Sequence, residues 1–168
     1  SVAAMAEAAL RWKGGLNAAV ANAGIMVEGD ILSLTLQDWN RAMSVNATGA
    51  FLTARAVLPA LLDGGGGALV FTASTVALAG MRGVAAYSAA KGAIQSFTIQ
   101  LAQEFGPDGI TCNAICPGAI MTERVDRLLN ERHTPEERQR IVNSIPVRRQ
   151  GRVEDVAAAV AYLASEEA

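Results

Sequence analysis

The sequence contains few cysteines and one histidine, which limits its redox and metal chemistry. Cys112 and Cys116 are the only two cysteines in 168 residues. If both lie on one strand, their Cα atoms are ~13 Å apart, too far for a disulfide. Without a cluster of further Cys or His ligands, two thiols also make a poor zinc site. We therefore expect no metal, and two buried thiols in a reducing, cytoplasmic compartment.

Little net charge and no long apolar run are present either. The net charge is −2 at pH 7, which gives no reason to expect nucleic acid or an anionic membrane surface as a partner. No uninterrupted apolar stretch approaches the ~20 residues that span a bilayer, and no signal peptide is visible. A composition of 51% hydrophobic and 18% charged residues is typical of a globular domain.

Short β-rich runs alternate with longer helical patterns along the chain. Strands are predicted at about 16–21, 68–74 and 110–116, and helices at 2–13, 36–62, 86–105, from Pro135, and from 153 onwards. Thr35 with Asp38, and Thr134 with Glu137, predict capping boxes at two helix starts. This alternation predicts an α/β fold with a parallel sheet covered on both faces.

Both ends of the pattern look incomplete. The chain begins without methionine at the head of one helix and stops at the tail of another. Three strands are few, since sheets average about five or six. We therefore expect residues 1–168 to be a single partial domain, with an open sheet edge at 16–21.

Distinctive residues follow each predicted strand. "NAG" (22–24) follows the first strand, Ser74 ends the second, and "CPGAIMT" (116–122) follows the third. In open parallel sheets, ligands bind beyond the carboxyl ends of the strands. Taken singly, each cluster could simply turn the chain, but three clusters at one edge predict a binding site.

A tyrosine and a lysine stand one helical turn apart in "YSAAK". Tyr87 and Lys91 are neighbours on one helix face, in a chain with two lysines and twelve arginines. A cation ~5 Å from a phenol, at an effective dielectric of ~20, is worth ~3 kcal/mol, or ~2 pKa units downward. Desolvation acts in the opposite direction. With the lysine ionised and close, Tyr87 could act as a proton-transfer group; the alternative interpretation is a Tyr/Lys pair on a solvated helix face without chemistry.

Ser74 and Asn46 extend this pair. Ser74, thirteen residues before Tyr87, could hydrogen-bond a substrate oxygen. Asn46 lies in "SVNATGAF", a poor helix-forming sequence, which predicts a kink that could hold a water or could be a helix break without chemistry.

The ordered set of Asn46, Ser74, Tyr87 and Lys91 resembles the catalytic tetrad of the short-chain dehydrogenase/reductase family. "ANAG" (21–24), "NAICPG" (113–118) with Thr122, and "GRVEDVAAAVAYLAS" also resemble family segments, in the right order. The resemblance implies a Rossmann fold and an NAD(P)(H)-dependent oxidoreductase that interconverts a small secondary alcohol and a ketone. It implies NAD or NADP as cofactor without choosing between them.

The same resemblance assigns roles to residues. Tyr87 would be the acid/base, and Ser74 would position the substrate oxygen. Lys91 would lower the pKa of Tyr87 and bind the nicotinamide ribose, while Asn46 would hold a relay water. The nicotinamide end would lie against Pro117, Gly118, Ile120 and Thr122, and the adenosine side against Asn22, Ala23 and Gly24.

One family feature has no counterpart in this sequence. The glycine-rich T-G-x-x-x-G-x-G segment, which receives pyrophosphate at a helix N-terminus, does not occur, and 64–67 precedes a strand instead of following one. We therefore expect these 168 residues alone to be marginally stable and to bind NAD(P)(H) weakly. The alternative function is a non-catalytic dehydrogenase-like module that only associates with other chains.

Two further expectations come from the resemblance. Family members commonly pair the helices matching 36–62 and 86–105 with those of a second subunit, which implies a homodimer or homotetramer. Residues 123–150 would form a substrate lid, although their Arg- and Glu-rich sequence equally fits a solvated helix face.

Overall fold

A three-stranded parallel sheet forms the centre of the fold. The computed structural model describes residues 1–168, apart from the side chain of Lys13. The strands are β1 (Ala18–Ala21), β2 (Gly67–Thr72) and β3 (Ile110–Ile115), in the order β1-β2-β3. All pair in parallel, with β2 between the other two. The predicted α/β class and all three strands are confirmed. β1 and β3 are shorter than predicted, and β2 begins one residue earlier and ends two residues earlier than predicted.

Eight α-helices surround this sheet. They are α1 (Val2–Lys13), α2 (Leu36–Met43), α3 (Gly49–Asp63), α4 (Val76–Ala79), α5 (Ala85–Phe105), α6 (Glu123–Arg132), α7 (Pro135–Ser144) and α8 (Val153–Leu163). On one face of the sheet, Leu69 and Phe71 are fully buried in a cluster with residues of α3 and α5. The alternate residues Ala68 and Val70 are buried on the opposite face, and α8 contacts β2 and β3. The sheet is thus covered on both sides.

Burial of the central strand explains why β2 is apolar throughout. Leu69, Val70 and Phe71 are all 0% exposed, and each such side chain stabilises the fold by roughly 1.5–3 kcal/mol. Phe71 meets Phe97 of α5 edge-on at 5.9 Å between ring centroids. A continuous apolar run is what a parallel strand with helices on both faces requires.

The long helical region 36–63 is interrupted in its middle. A π-helical turn at Ser44–Thr48 separates α2 from α3, with the Gly49 N–H bonded to the Ser44 carbonyl five residues earlier. The predicted kink around Asn46 is therefore confirmed. By length and composition alone, Leu36–Asp63 is apolar enough to cross a membrane. Val57 and Leu61 of this segment belong to the core, whereas Phe51 and Leu52 are 44% and 41% exposed.

Of the two predicted capping boxes, one is complete. Thr134 accepts from the N–H of Glu137, whose carboxylate accepts from the Thr134 N–H. At α2 the Thr35 hydroxyl accepts from the Asp38 N–H at 3.1 Å. However, the Asp38 carboxylate accepts from the Thr35 hydroxyl rather than from its backbone, so the reciprocal half of that box was wrongly predicted.

Residues 120–152 contain structure that the sequence did not predict. A short parallel pair, β4 (Ile120–Met121) with β5 (Gly151–Arg152), encloses the helices α6 and α7. Two-residue strands are too short to show an alternating pattern. This pair places the starts of α6 and α8 side by side, close to the end of β3.

The glycine run 64–67 connects α3 to β2, as predicted. The N–H of Gly66 donates to Leu61 and that of Gly67 to Gly109, so these donors already have partners. A Cβ on Gly67 would lie 2.3 Å from the Asn17 carbonyl oxygen. The run is thus a tight structural connection, distinct from a phosphate loop.

Both cysteines are free thiols. Cys112 is buried on β3, as expected. Cys116 is only half-buried and accepts a hydrogen bond from Gln95 at 3.1 Å, so the expectation of two buried thiols holds for Cys112 alone.

Candidate active site

Three chain segments meet at the carboxyl edge of the sheet. Because the strands are parallel and adjacent, the residues that follow them emerge on the same side. The segment after β2 is tied to the one after β3: the N–H and the hydroxyl of Thr75 both donate to the Pro117 carbonyl, at 3.1 and 3.3 Å. After β1, Asn22 accepts from the Thr72 hydroxyl at 3.0 Å. The three predicted clusters therefore share one edge.

Asn46 connects the π-helical turn to this edge. Its side chain, 1% exposed, donates to the carbonyls of Ile25 and Ala42, both at 2.9 Å, and accepts from the Ile25 N–H at 3.2 Å. Irregular helix geometry leaves the Ala42 carbonyl available to a side chain. Asn46 consequently fixes the backbone that follows Gly24.

Gly24 lies between two of the predicted catalytic side chains. A Cβ at this position would stand 2.6 Å from Asn46 Oδ1 and 3.3 Å from Lys91 Nζ. Asn46 and Lys91 therefore both border the backbone of Gly24, and a larger residue would displace one of them. The open backbone leaves a surface that a flat ligand can approach closely.

Lys91 is a buried cation on α5. It is 3% exposed, and its ammonium donates to the carbonyl of Thr72, the last residue of β2, at 2.6 Å. Nζ lies 5.6 Å from the centre of the Tyr87 ring, so the predicted pair is formed. Burial lowers the pKa of Lys91 below its ordinary value, because removal from water disfavours the charged form.

Tyr87 and Ser74 form the second half of the site. Burial raises the pKa of Tyr87 above its ordinary value, and a hydrogen bond with Ser74 offsets part of this rise. Ser74 is itself buried, and its hydroxyl accepts from the Val76 N–H at 3.4 Å. The expectation that Lys91 brings the pKa of Tyr87 below its usual range is therefore wrong for this structure. Desolvation is the larger effect on the pKa of Tyr87, and the Ser74 hydrogen bond is the smaller one.

The remaining predicted residues lie around this centre. Asn22, Ala23 and Gly118 are exposed at the edge, and Pro117 is half-buried. Ile120 is on β4, and Thr122 caps α6 by accepting from the Val125 N–H at 3.2 Å. A chain of contacts thus links Gly24, Asn46, Lys91, Tyr87 and Ser74. Thr122 lies outside this chain and caps α6 instead.

Sequence reasoning missed two threonines at this site. Thr72 supplies the carbonyl that holds Lys91, and Thr75 fastens the segment after β2 to Pro117. A backbone acceptor carries no sequence signal. Thr75 directly follows Ser74 and could have been noticed as a second hydroxyl at the strand end.

Comparison with known proteins agrees with this architecture. The model of the family described as enoyl-(acyl carrier protein) reductase matches residues 1–168, the entire chain. A crystal structure of an oxidoreductase of the short-chain dehydrogenase/reductase family from Burkholderia thailandensis superimposes with a TM-score of 0.86, at 28% identity over 98% of this chain. The chain belongs to the short-chain dehydrogenase/reductase family.

Curated relatives in this family carry names that refer to different substrates. "Inactive 2-(S)-hydroxypropyl-CoM dehydrogenase 2" of Xanthobacter autotrophicus is 38% identical over 100% of this chain and 74% of its own length. Acetoacetyl-CoA reductase of Shinella zoogloeoides is 40% identical over 92% of this chain and 63% of its own. The chain likewise covers 62% of the Burkholderia protein, so it spans about three fifths to three quarters of these relatives.

The short-chain dehydrogenase/reductase family consists of NAD(P)-dependent oxidoreductases, and the site fits one end of that cofactor. Gly24 and Gly118 leave backbone open, since a Cβ on Gly118 would meet only Thr75, at 3.8 Å. The Lys91 ammonium has three N–H donors, and Thr72 is its one hydrogen-bond acceptor among the described residues. These groups suit a ribose with hydroxyl acceptors beside a flat ring. Neither the sequence nor the fold supplies a glycine-rich turn for the pyrophosphate.

Proposed function

We propose that the protein containing this chain is an NAD(P)(H)-dependent oxidoreductase that interconverts a small secondary alcohol and a ketone. The observation that supports this most strongly is the convergence of Ser74, Tyr87, Lys91 and Asn46 at the carboxyl edge of the sheet. Asn46 and Lys91 border Gly24, Lys91 lies beside the Tyr87 ring, and Tyr87 hydrogen-bonds with Ser74, so contacts link four side chains from three separate segments. A tyrosine and a lysine that merely shared a solvated helix face would not require Ser74 or Asn46 as neighbours.

Each residue has a task in the proposed reaction. Tyr87 transfers a proton to or from the substrate oxygen, and Ser74 hydrogen-bonds that oxygen as its charge changes. Lys91 supplies positive charge beside the phenol and hydrogen-bond donors to a ribose. Asn46 fixes the backbone after Gly24, against which the nicotinamide ring would lie, and orients a relay water. The nicotinamide, when bound, donates or accepts the hydride.

The ionisation of Tyr87 favours reduction at neutral pH. Since burial raises its pKa, the phenol stays protonated and can give its proton to a carbonyl oxygen. Oxidation of an alcohol needs the phenolate, which the buried site disfavours. Burial therefore keeps Tyr87 in the protonated form that can donate to the substrate oxygen during ketone reduction.

Replacement of Tyr87 by phenylalanine tests this function. In the complete natural translation product that contains residues 1–168, Tyr87→Phe should lower the turnover of ethyl acetoacetate with NADH or NADPH by ~10²-fold or more, because the proton donor is removed. Tyr162→Phe is the matched control, since Tyr162 is the only other tyrosine and is 54% exposed on α8. Equal turnover of the two variants would refute the assignment.

A non-catalytic role is the second candidate, because one relative is named inactive. On this reading the chain would only associate with other chains. The intact set of Ser74, Tyr87 and Lys91 argues against it. The two readings differ in one measurement: titration with NADH and NADPH, followed by nicotinamide fluorescence, should saturate for the complete product if it is an enzyme.

We also propose self-association as a homodimer or homotetramer. An apolar groove of about 260 Å³ lies between the π-helical turn with α3 and the helix α5, lined by Ala47, Phe51 and Phe97 among others. Phe51, Leu52 and Ile99 are 44%, 41% and 66% exposed, whereas Ile94 and Leu101 already belong to the core. Sedimentation of the complete product as a monomer at micromolar concentration would refute this proposal.

A further inference from the structure

A second cleft adjoins the candidate active site. It has a volume of about 400 Å³ and is lined by Met26, Glu28, Met81, Arg82, Val84 and Arg132. Met26 lies two residues after Gly24, and Val84 three residues before Tyr87. The cleft is therefore formed by the continuations of two segments that already carry candidate catalytic residues.

The floor of this cleft is held in place from both sides. The Gly29 N–H donates to the Gly83 carbonyl at 2.8 Å, and Gly29 forms an isolated β-bridge with Val84. Beneath them, Val27 packs with Ala42 and Ala86 in a small buried cluster. The two walls that carry Met26 and Met81 are thus fixed relative to Tyr87.

The charges in the cleft do not balance. Glu28 is its only carboxylate, and both oxygens accept from Arg132 of α6, at 3.2 and 3.3 Å. Among the described residues, Arg82 has no hydrogen-bond or ion-pair partner. With Glu28 neutralised by Arg132, the cleft carries one uncompensated positive charge, next to two thioether side chains.

We propose that this cleft binds the part of the substrate beyond its reacting carbon, and that Arg82 binds an anionic group at the far end of that substrate. The proposal rests on the proposed function and names its substrate class: a ketone or secondary alcohol joined by a short apolar segment to a carboxylate, sulfonate or phosphate. Arginine presents a planar fork that matches such anions bidentately. Methionine adapts to unbranched apolar chains, so Met26 and Met81 suit the segment between the two ends.

A series of keto acids of increasing chain length, each paired with its methyl ester, tests the proposal in the complete natural translation product. The probes are 4-oxopentanoate, 6-oxoheptanoate and 8-oxononanoate, each compared with its methyl ester. For at least one length we expect kcat/KM to be tenfold or more higher for the acid, which corresponds to about 1.4 kcal/mol. Arg82→Gln should abolish this preference, mainly through KM, by lowering kcat/KM for the acid far more than for its ester.

Two further variants separate Arg82 from a general charge effect. Arg127→Gln removes an exposed arginine from α6 outside the cleft, and it should retain the preference. Glu28→Gln should strengthen it, because Arg132 is then released to the anion. Isothermal titration calorimetry with 6-oxoheptanoate and 8-oxononanoate gives a readout without turnover: the wild type should bind at least one acid more tightly than Arg82→Gln does.

The outcomes are distinguishable from a failure of the proposed function. If the esters are reduced but no acid is preferred at any length, or if Arg82→Gln and Arg127→Gln behave alike, the anion subsite is refuted and the reductase remains. If neither acids nor esters are reduced but an acid binds through Arg82, the subsite stands and the proposed reaction is refuted. If no acid is bound or turned over by the wild type, the subsite is refuted.

Discussion

Gly24 offers a direct measure of how tightly the candidate site is assembled. In Gly24→Ala, the new methyl group would lie 2.6 Å from Asn46 Oδ1 and 3.3 Å from Lys91 Nζ, against the 3.4 Å at which ordinary van der Waals contact begins. Neither neighbour can yield freely. Asn46 is held by three hydrogen bonds to Ile25 and Ala42.

The expected cost has two parts. Inserting a methyl group into a packed site costs typically about 1–3 kcal/mol. Displacing Asn46 Oδ1 also weakens its bond from the Ile25 N–H, which contributes roughly 0.5–1.5 kcal/mol. An alanine stiffens the unfolded chain and returns about 0.4–1 kcal/mol. We therefore expect Gly24→Ala to lower the free energy of unfolding by about 2 kcal/mol.

Gly118→Ala is the matched control. It lies at the same edge of the sheet, and its Cβ would meet only Thr75, at 3.8 Å. Without a steric cost, only the effect on the unfolded chain remains, so this variant should be neutral or slightly stabilising. Urea unfolding followed by circular dichroism measures both. If Gly24→Ala is as stable as Gly118→Ala, the packing of Asn46 and Lys91 against Gly24 is wrong.

Two pH-dependent predictions follow from shifted groups. Burial raises the pKa of Cys112 to about 11. The contribution of the thiol to the free energy of unfolding is therefore fully present below its unfolded pKa of about 8.5 and is lost as pH rises through 11. Cys112→Val should reduce the fall of the urea midpoint in alkaline solution, and an unchanged fall would contradict this. The hydrogen bond from Arg149, followed by that from the Arg152 N–H, lowers the pKa of Asp155 to about 2. Its contribution to the free energy of unfolding is present above about pH 3.9 and is lost as pH falls through 2. Asp155→Asn should remove that part of the acid loss, whereas Asp63→Asn, at an exposed position of α3, serves as the control carboxylate.

Helices and strands with regular sequence patterns were predictable from the sequence, whereas features that depend on contacts between distant residues were not. The apolar run of β2 and the glycine after α1 fixed those elements within a few residues, because burial and αL geometry leave direct traces in sequence. The kink at Asn46 was also readable, since Asn, Thr and Gly are poor helix formers. The strands β4 and β5 were not, because two-residue pairing depends on distant partners.

The ionisation of Tyr87 shows why site residues are easier to predict than their energetics. Spacing alone placed Lys91 beside Tyr87, because i and i+4 share a helix face. The sign of the pKa change depends on depth of burial and on where the ammonium points. Both are tertiary properties: the Thr72 carbonyl lies at the end of β2, nineteen residues from Lys91. The sequence could state both opposing effects without deciding between them.

The choice of lysine at position 91, in a chain that otherwise favours arginine twelve to one, also has a physical reason in the structure. The Lys91 ammonium is a single nitrogen in a narrow space, with the Thr72 carbonyl at 2.6 Å and the Gly24 backbone alongside. A guanidinium would bring a planar fork with five donors to satisfy, in a position that is 3% exposed. Burial already lowers the pKa of Lys91, so its charge depends on its acceptors. An arginine would keep its charge whether or not such acceptors are present. The site therefore suits a small cation whose charge can respond to what binds beside it, which lysine provides and arginine does not.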